Sequence, residues 1–461
     1  MNVVLIHGYS AKADDLRQGL GKHLLAANSR KGAKGLPNLK LWYADYNSLD
    51  NQACLEDMAE GMHLELKQQG LLNGGPRSLS FVVHSTGGLV VRQWLKQYAW
   101  AGSLDLCRSI VFLAPANFGS PLAHKANSVL GRIAKGNRSA QDFLEVGERI
   151  VKSLELGSPK QWELAHFDLF DHKGTIYHPD GIHAYVITGT KPYGGLRSLI
   201  NEEGTDGTIV VSGAGLNSRK YVLDFVHASS RELTADWLQT GALPSTPFAT
   251  HGACDHGTVL DNADVISLVL DSLRRQTPAE YQAAHAAYDT FSTSFPTTED
   301  VYQQFHVCMT DDRNMAVHDF HMQFNVWHRS HITVEKKHGW YFAKKKVSQD
   351  EEERRRSDDL NEMLRSECHP HSDAPHHRRF LVNQSKLKKI VKKKRDDDYV
   401  VSINILAYSG DSEIGYNTSE FNDLMIYDPK DPGAISLFYP NTTTLIDIRV
   451  DRHSRLVTVR Q

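Results

Sequence analysis

Short apolar runs alternate with amphipathic segments over roughly the first 275 residues of the chain. Runs such as NVVLI, LSFVVH and SIVFLAPA are continuous and rich in β-branched residues, which is typical of strands buried on both faces of a parallel sheet. Segments such as DDLRQGLGKHLLAA and ADVISLVLDSLRRQ carry apolar residues at helical spacing. Strands that alternate with helices predict an α/β fold with a doubly wound, mostly parallel sheet.

The alternation stops between residues 119 and 178. Segments such as SVLGRIAKG and DFLEVGERIVKSLELGS have apolar residues three and four positions apart, which predicts helices. This range is therefore a helical insertion after a strand. It is expected to act either as a lid over an apolar site or as a fixed cap on the sheet.

The pattern changes again near residue 285, where a predicted helix is followed by the Ser/Thr/Pro-rich link FSTSFPTTED. Residues 300–461 contain alternating segments such as YVVSINILAY and TLIDIRVDRHSRLVTVRQ, separated by turns. We expect a first domain over 1–285 and a C-terminal, antiparallel β-sandwich-like domain over 300–461. The charged stretch SQDEEERRRSDDLNEMLRSE within it is predicted to be a solvated helix or loop.

Composition narrows the class of protein. The length of 461 residues allows two to three domains, and 40% hydrophobic with 23% charged residues is typical of a globular chain. A net charge of −3 argues against general nucleic-acid binding. The N-terminus lacks the features of a secretory signal, and no apolar run is long enough to cross a membrane. The expected location is cytoplasmic, or outside the cell after export without a cleavable signal peptide.

The cysteines are widely spaced and form no C-x-x-C pattern, so we expect reduced thiols, no metal site and no cofactor. They are Cys54, Cys107, Cys254, Cys308 and Cys368.

The stretch VVHSTGGLVV, residues 82–91, places a serine between a predicted strand and a predicted helix. A nucleophilic hydroxyl fits this position, because a sharp strand-to-helix turn lifts it off the sheet and aims nearby N–H groups at a reacting carbonyl. Gly87 stands where the G-x-S-x-G motif has its second glycine, but Val83 replaces the first. Ser85 is therefore a candidate nucleophile, and a turn that merely connects two elements is the alternative.

A nucleophilic serine needs a histidine to accept its proton and an acid to orient that histidine. Asp206 in EEGTDGTIVV and His256 in HGACDHGTVL lie in glycine-flanked loops, in the chain order of doubly wound hydrolases. A structural turn aspartate is the alternative for Asp206. His251 and Asp255, in the same segment as His256, are the immediate competitors for these roles.

The N-terminal VVLIHGYS is a predicted buried strand that ends in His-Gly. In such a fold the loop after this strand supplies one oxyanion amide, and the residue after the nucleophile supplies the other. We therefore select the backbone N–H groups of Tyr9 and Thr86 as the candidate oxyanion donors.

Five segments in this order carry a resemblance to the α/β-hydrolase superfamily: VVLIHGYS, VVHSTGGLVVRQW, VFLAPANFGSPLA, GTDGTIVVSGA and DHGTVL. Over about residues 1–275 the chain resembles the lipase-like branch, which includes bacterial lipases and serine esterases of the GPI-inositol-deacylase type. The resemblance implies Ser85 as nucleophile, Asp206 as acid and His256 as base, with Tyr9 and Thr86 as oxyanion donors. It implies a sheet trimmed at its first strands, because the chain begins at what is usually the third one.

The predicted function is hydrolysis of a carboxylic acyl ester through an acyl-enzyme. A lipid or phospholipid ester is the preferred substrate, because the insertion supplies apolar helices near the site. The alternatives are a small-ester esterase, an acyltransferase, and a non-catalytic binding or scaffold protein that keeps the fold.

The C-terminal region has weaker signals. The basic run LKKIVKKKRDDD is interpreted as a solvated loop, with contact to anionic lipid headgroups as the alternative. Another partner of this region could be a protein. The cluster ECHPHSDAPHH lacks regular ligand spacing, so no metal site is predicted there, and the acidic loops are too loosely spaced to assign calcium ligands. The histidines of the cluster are His369, His371, His376 and His377.

Overall fold

The computed structural model describes residues 1–30, 35–123, 147–170, 175–224, 226, 246–337, 340–392, 399–418, 422–431, 435–454 and 456. These residues form two compact units. The first comprises the described residues of Met1–Asn217 and Pro244–Glu299, and the second those of Ser218–Leu243 and Asp300–Gln461.

The first unit is built on a six-stranded sheet in which every neighbouring pair is parallel. The six strands are β1 (Asn2–Ile6), β2 (Lys40–Ala44), β3 (Leu79–His84), β4 (Cys107–Leu113), β5 (His183–Gly189) and β7 (Phe248–His251). Their order in the sheet is β2-β1-β3-β4-β5-β7, and strand β6 (Arg219–Asp224) belongs to the second unit. The predicted mostly parallel sheet is thus confirmed.

Amphipathic helices lie between the strands of this sheet in the chain. Residues 87–95, the first nine of the helix that follows β3, are all buried, because the segment GGLVVRQWL is apolar on nearly every side. The helices of the first unit are α1 (Ala13–Leu16), α2 (Lys22–Asn28), α3 (Leu55–Gln68), α4 (Gly87–Gln97), α5 (Ser103–Leu106), α6 (Glu148–Leu154), α7 (Pro159–Ala165), α8 (Val211–Ala214), α9 (Ala263–Arg274) and α10 (Pro278–Ser294). Single π turns cover Arg17–Gly21 and His166–Phe170, and 3₁₀ turns cover Leu71–Asn73, Ala99–Ala101, Gly195–Ile200 and Thr258–Leu260.

The described part of the predicted insertion over 119–178 contains two helices. Helices α6 and α7 fall within it, and Ile150, Leu154 and Leu164 on these helices are buried. Residues 124–146 and 171–174 lie outside the described residues.

The boundary of the first unit differs from the predicted residue 285, because α10 belongs to this unit as a whole. The Tyr281 hydroxyl donates to the Ala184 carbonyl of β5 at 3.2 Å. The hydroxyls of Tyr288 and Ser272 lie 2.7 Å apart, which ties α10 to α9. Two buried tyrosines thus attach α10 to the first unit, although the predicted boundary at residue 285 falls within this helix.

The second unit contains two sheets. The first is antiparallel, with the order β10-β11-β16-β14-β9, and the second has the order β12-β13-β8-β17-β15 with β6 paired to β17. The strands are β6 (Arg219–Asp224), β8 (Tyr302–Asp311), β9 (Asp319–His328), β10 (Ile332–Lys337), β11 (Trp340–Lys345), β12 (Cys368–Pro370), β13 (His377–Asn383), β14 (Tyr399–Tyr408), β15 (Ile414–Asn417), β16 (Leu424–Tyr427) and β17 (Thr443–Ser454).

The second sheet corrects two expectations. It is mixed rather than purely antiparallel, because β17 runs parallel to both β6 and β8. Its strand β6 comes from within the range assigned to the first domain, since residues 219–224 pair with 444–449. A β-rich C-terminal domain is confirmed, and it recruits one strand from earlier in the chain.

One hydrophobic core contains residues of both sheets, as expected for a sandwich-like unit. Helix α11 (Glu351–Ser366) buries Leu360, Met363 and Leu364 in this core, so the charged stretch is not solvated on all sides. Helix α12 (Gln384–Val391) follows β13 and contains part of the basic run, whose residues 393–398 lie outside the described residues. A 3₁₀ turn covers Arg329–His331.

Among the described residues, no helix combines the length and apolar composition needed to cross a bilayer.

Candidate active site

Ser85 lies on a sharp turn between β3 and α4. Its φ of 53° is in the left-handed region, which a residue with a side chain adopts only where its surroundings hold it there. The Ser85 N–H donates to the Leu113 carbonyl at 3.1 Å, and the Ser85 carbonyl accepts from the N–H groups of Gly88 and Ala116, each at 3.1 Å. The turn is thus fixed on both sides of the serine.

Two glycines allow the turn to close against the end of β1. A Cβ added at Gly87 would lie 2.7 Å from the Ile6 carbonyl oxygen, and one added at Gly8 would lie 2.8 Å from the Ser85 Cβ. Val83, which replaces the first glycine of the motif, is fully buried in β3. Since Val83 has no positive φ, the strain lies at the serine itself.

His256 contacts both Ser85 and Asp206. Its Nδ1 lies 2.9 Å from Asp206 Oδ2, and its Nε2 lies 3.0 Å from Ser85 Oγ. Because a carboxylate only accepts hydrogen bonds, Nδ1 carries the proton and donates to Asp206. Nε2 is then the acceptor for the Ser85 hydroxyl. The three residues predicted from chain order thus form one continuous hydrogen-bonded relay.

Asp206 is held in place by backbone groups as well as by His256. Its Oδ1 accepts from the N–H groups of Thr208 at 3.0 Å and Ile209 at 2.9 Å. The His256 N–H also donates to the Asp206 carbonyl at 2.9 Å. The fully buried carboxylate therefore has three hydrogen-bond donors, which offset the cost of burying its charge.

His84, the last residue of β3, holds the backbone of His256 in place through a hydrogen bond. Its Nε2–H donates to the His256 carbonyl at 3.0 Å, and the two rings lie 4.8 Å apart between centroids. Burial lowers the pKa of His84 to about 3, and the neighbouring His256 acts in the same direction. His84 is therefore neutral at pH 7 and does not repel a positive charge on His256.

The two competing residues, His251 and Asp255, have other contacts. His251 is buried and stacks on Phe295 with a centroid distance of 4.2 Å, and its Nδ1 accepts from the Ala253 N–H. The Asp255 carboxylate accepts from the N–H groups of Gly257 and Thr258 in a local turn. Neither residue bonds to Ser85.

The two candidate oxyanion donors border the same cavity as Ser85 and His256. Thr86 is fully buried and directly precedes α4, so its N–H lies at the positive end of that helix. Tyr9 follows Gly8 in the loop after β1.

His7 and Tyr46 anchor the loop that contains Tyr9, and the sequence pattern did not predict this contact. The Tyr46 hydroxyl donates to the His7 carbonyl at 2.6 Å, and the two rings stack at 4.1 Å. Burial raises the pKa of Tyr46 and lowers that of His7, so both side chains are neutral at pH 7. A buried histidine before glycine at a strand end is a signal that could have indicated such support.

The cavity beside Ser85 has a volume of about 220 Å³ among the described residues. One part of its wall is apolar, with Leu122, Val151 and Leu154. The described half of the insertion thus borders the site, since α6 contributes two of these side chains. Arg197 and Tyr193 line another part, and the Arg197 guanidinium lies over the Tyr193 ring at 5.6 Å.

Solved structures of one bacterial phospholipase are similar to this chain over its whole length. Phospholipase PlaB from Legionella pneumophila has 18% sequence identity and a TM-score of 0.71, with 100% of this chain and 97% of that chain covered. The same phospholipase in complex with thio-NAD has 17% identity and a TM-score of 0.71, covering 100% and 98%. A lipase from Bacillus licheniformis in mature form has 13% identity and a TM-score of 0.35, covering 59% and 91%. No protein-family profile and no curated protein matches the chain.

At 18% identity the likeness to the Legionella protein concerns the fold alone. It agrees with the six parallel strands of the first unit and with the strand–turn–helix around Ser85. The fold predicted from the five sequence segments is therefore confirmed: the chain has an α/β-hydrolase fold, with an additional β-rich unit.

Proposed function

We propose that the protein is a serine hydrolase that cleaves carboxylic acyl esters, with phospholipids or other lipids as substrates. The observation that carries this proposal is the relay of Ser85 Oγ, His256 and Asp206, with distances of 3.0 and 2.9 Å. A binding or scaffold protein needs neither the strained backbone of Ser85 nor a buried carboxylate aligned on the histidine.

In the first half of the reaction, Ser85 Oγ attacks the ester carbonyl carbon while its proton passes to His256 Nε2. The imidazolium that forms is stabilised by Asp206, which keeps its negative charge. The N–H groups of Thr86 and Tyr9 donate to the oxyanion of the tetrahedral intermediate. His256 then returns the proton to the departing alcohol, and the acyl group remains as an ester of Ser85.

In the second half, a water molecule takes the place of the alcohol. His256 Nε2 accepts a proton from this water as its oxygen attacks the acyl-enzyme carbonyl. Collapse of the second intermediate releases the carboxylic acid, and Ser85 recovers its proton from His256. An alcohol in place of water would give acyl transfer, which uses the same groups.

Two observations support a lipid substrate. The apolar wall formed by Leu122, Val151 and Leu154 suits an acyl chain. The exposed Arg197 borders the same cavity, and its guanidinium could bind a phosphate. The structural relative from Legionella is a phospholipase, which makes phospholipids the first substrates to test.

The first experiment is labelling with a fluorophosphonate probe, followed by peptide mapping. We expect labelling at Ser85 in the wild type, and none in Ser85→Ala. His256→Ala should label at least about a hundredfold more slowly, since the general base is absent. Ser153→Ala, on α6 and outside the cavity lining, is the matched control and should label normally. Folded wild type that does not react would contradict the proposal.

The second experiment compares p-nitrophenyl esters of graded chain length with phosphatidylglycerol vesicles. Arg197→Ala is expected to lower phospholipid hydrolysis about tenfold, because a charged hydrogen bond to the phosphate is lost, and to leave neutral esters unaffected. Arg197→Lys should recover part of the activity. Cleavage of short esters alone would favour a small-ester esterase, and esters formed in the presence of added alcohols would favour an acyltransferase.

A further inference from the structure

A cysteine and two histidines meet in the second unit, far from Ser85 in sequence. Antiparallel pairing of β8 with β13 places His377 directly opposite Cys308. The Cys308 Sγ lies 3.4 Å from the His377 Nε2, and both residues are buried. His376, the residue before β13, brings a third ligand atom, and the three atoms all lie within 4.8 Å of one another.

The spacing of these atoms matches a metal-binding arrangement. In a tetrahedral zinc site, metal–sulfur and metal–nitrogen distances of about 2.3 and 2.1 Å separate sulfur from nitrogen by about 3.6 Å. The observed separation of Cys308 Sγ and His377 Nε2 is 3.4 Å. The ligand nitrogen of His376 lies within 4.8 Å of both of these atoms.

A second histidine orients the His377 ring. The His306 Nε2 lies 3.2 Å from the His377 Nδ1, on the ring edge away from Cys308. When the Nδ1–H donates to His306, the His377 Nε2 carries a lone pair directed at the thiol. Histidines that bind metals are commonly fixed by a hydrogen bond to their other nitrogen in this way.

His376 supplies an independent observation. Its Nδ1 is buried and has no hydrogen-bond partner among the described residues. A buried polar atom without a partner costs free energy, and a bound cation would remove that cost. His318 lies near, with its ring centroid 5.7 Å from that of His376.

We propose that Cys308, His376 and His377 bind a divalent transition-metal cation, with Zn²⁺ as the natural occupant. A thiolate with two imidazoles favours zinc over magnesium or calcium, which prefer oxygen ligands. His318 or a water molecule is the fourth ligand. The site joins two strands of one sheet, so its role is structural.

Metal binding at this site has a cost that the cation must overcome. Burial raises the pKa of the Cys308 thiol to about 12, so the thiol is protonated at pH 7 in the absence of a metal. The cation therefore displaces this proton when it binds.

A second cluster of potential metal ligands consists of His331, Asp350 and Glu353. Hydrogen bonds within the protein explain why these three side chains lie close together. Asp350 and Glu353 form the capping box of α11, and the His331 Nδ1 bonds to Glu353 at 2.9 Å. Each of these groups is satisfied by protein partners, so His331 offers a matched control for metal uptake.

The test uses the full chain, treated with EDTA and then dialysed against Zn²⁺ or Co²⁺. Metal analysis should find about one Zn²⁺ per wild-type chain, as for a single site. The Co²⁺ form should have a thiolate-to-cobalt charge-transfer band in the near ultraviolet. Cys308→Ser should lose the band and most of the bound metal, and His376→Gln should bind metal more weakly.

Two control variants separate this site from other thiols and imidazoles. Cys54→Ser removes a partly exposed thiol, and His331→Ala removes a histidine of the second cluster. Both should keep the band and the full metal content, and circular dichroism should show that every variant is folded. The proposal is overturned if folded wild type retains no Zn²⁺, or if folded Cys308→Ser retains as much as the wild type. Labelling of Ser85 is independent of these outcomes.

Discussion

The left-handed backbone of Ser85 depends on its glycine neighbours. Residue 87 approaches the end of β1 so closely that a Cβ there would meet the carbonyl oxygens of Ile6 and His7 at 2.7 and 2.8 Å. Neither backbone group can move without displacing the sheet. The Ser85 hydroxyl can therefore keep its position only if residue 87 has no side chain.

Replacing Gly87 by alanine should lower the rate of ester hydrolysis strongly, and its effect on the free energy of unfolding should be the smaller of the two. A shift of about 1 Å in the position of the nucleophile is enough to lower the rate about a hundredfold. Gly61→Ala is the control, because an added Cβ there meets nothing within 4 Å in the interior of α3. Its activity should be unchanged and its unfolding free energy slightly increased. Equal activities of the two variants would contradict the role of Gly87.

The second residue-scale prediction concerns His84 and acid stability. The pKa of His84 is about 3 in the folded protein, against about 6.5 for an unperturbed histidine. Between these pH values the unfolded chain binds a proton at this position and the folded protein does not, so stability falls as the pH falls. The groups that disfavour the charge include His256 and His7.

Urea unfolding of the wild type and of His84→Gln should reveal this contribution. Glutamine can still donate to the His256 carbonyl but does not titrate. Between pH 7 and pH 4 the wild type should lose on the order of 3 kcal/mol more than the variant. Identical pH dependence of the two proteins would show that His84 is not the buried neutral group described above.

At the scale of elements, helix α4 is joined to the π turn His166–Phe170 by a buried ion pair. The Arg92 Nε and Nη2 donate to the two Asp168 carboxylate oxygens at 2.6 and 2.9 Å, and both side chains are fully buried. The Tyr177 hydroxyl donates to the same carboxylate at 2.9 Å. Because α4 begins directly after the Ser85 turn, this pair also fixes the helix behind the serine.

Removing one partner of this pair should be strongly destabilising. Arg92→Met is expected to lower the free energy of unfolding by about 3–5 kcal/mol, because Asp168 is left as an uncompensated buried charge. The double variant Arg92→Met/Asp168→Asn removes that charge and keeps an acceptor for Tyr177. Chemical denaturation should find it more stable than Arg92→Met alone, and the opposite order would refute the explanation.

The turn Gly195–Ile200 combines the cavity lining with an exposed apolar surface. Arg197 and Ile200 line the cavity, whereas Leu196 and Leu199 are 82% and 66% exposed. Exposed leucines beside the cavity that we propose binds lipid are suited to insert among the acyl chains of a bilayer.

The double variant Leu196→Ser/Leu199→Ser should hydrolyse vesicle phospholipids at least about tenfold more slowly, since burial of a leucine contributes about 1.5–3 kcal/mol. Hydrolysis of a soluble short-chain ester should be unchanged. Trp100→Ser, which alters a residue that is 84% exposed and lies outside the cavity lining, is the control and should affect neither substrate. Equal losses on both substrates would point to a damaged site instead.

At the scale of the whole molecule, all five cysteines are free. No covalent cross-link contributes to stability, so the melting temperature should be the same with and without the reductant TCEP. Differential scanning fluorimetry gives this comparison directly. A lower melting temperature in TCEP would reveal a disulfide formed during purification.

The chain positions of the candidate nucleophile, acid and base were predictable, because the carboxyl ends of parallel strands lie at one edge of a sheet. Ser85, Asp206 and His256 each follow a strand of the first unit and therefore converge, as their distances record. Contacts across strands were not predictable. The pairing of Cys308 with His377 depends on the register of β8 and β13, which neither segment encodes alone.

The location of strand β6 was hidden for the same reason. The segment RKYVLD alternates like any half-buried strand, and its partner β17 lies near the other end of the chain, with Arg219 opposite Thr444. Sequence periodicity indicates that a strand exists and says nothing about the sheet that receives it.

This long-range pairing has a consequence for synthesis on the ribosome. Chains emerge from the N-terminus onward, so His256 and the last strand of the first unit appear well before residues 443–454. Strand β6 of the second unit is therefore synthesised long before its partner β17, and it cannot form this pairing while the remaining chain is translated. An open strand edge invites association with other chains. A chaperone that shields this segment until β17 emerges should increase the yield of correctly folded protein.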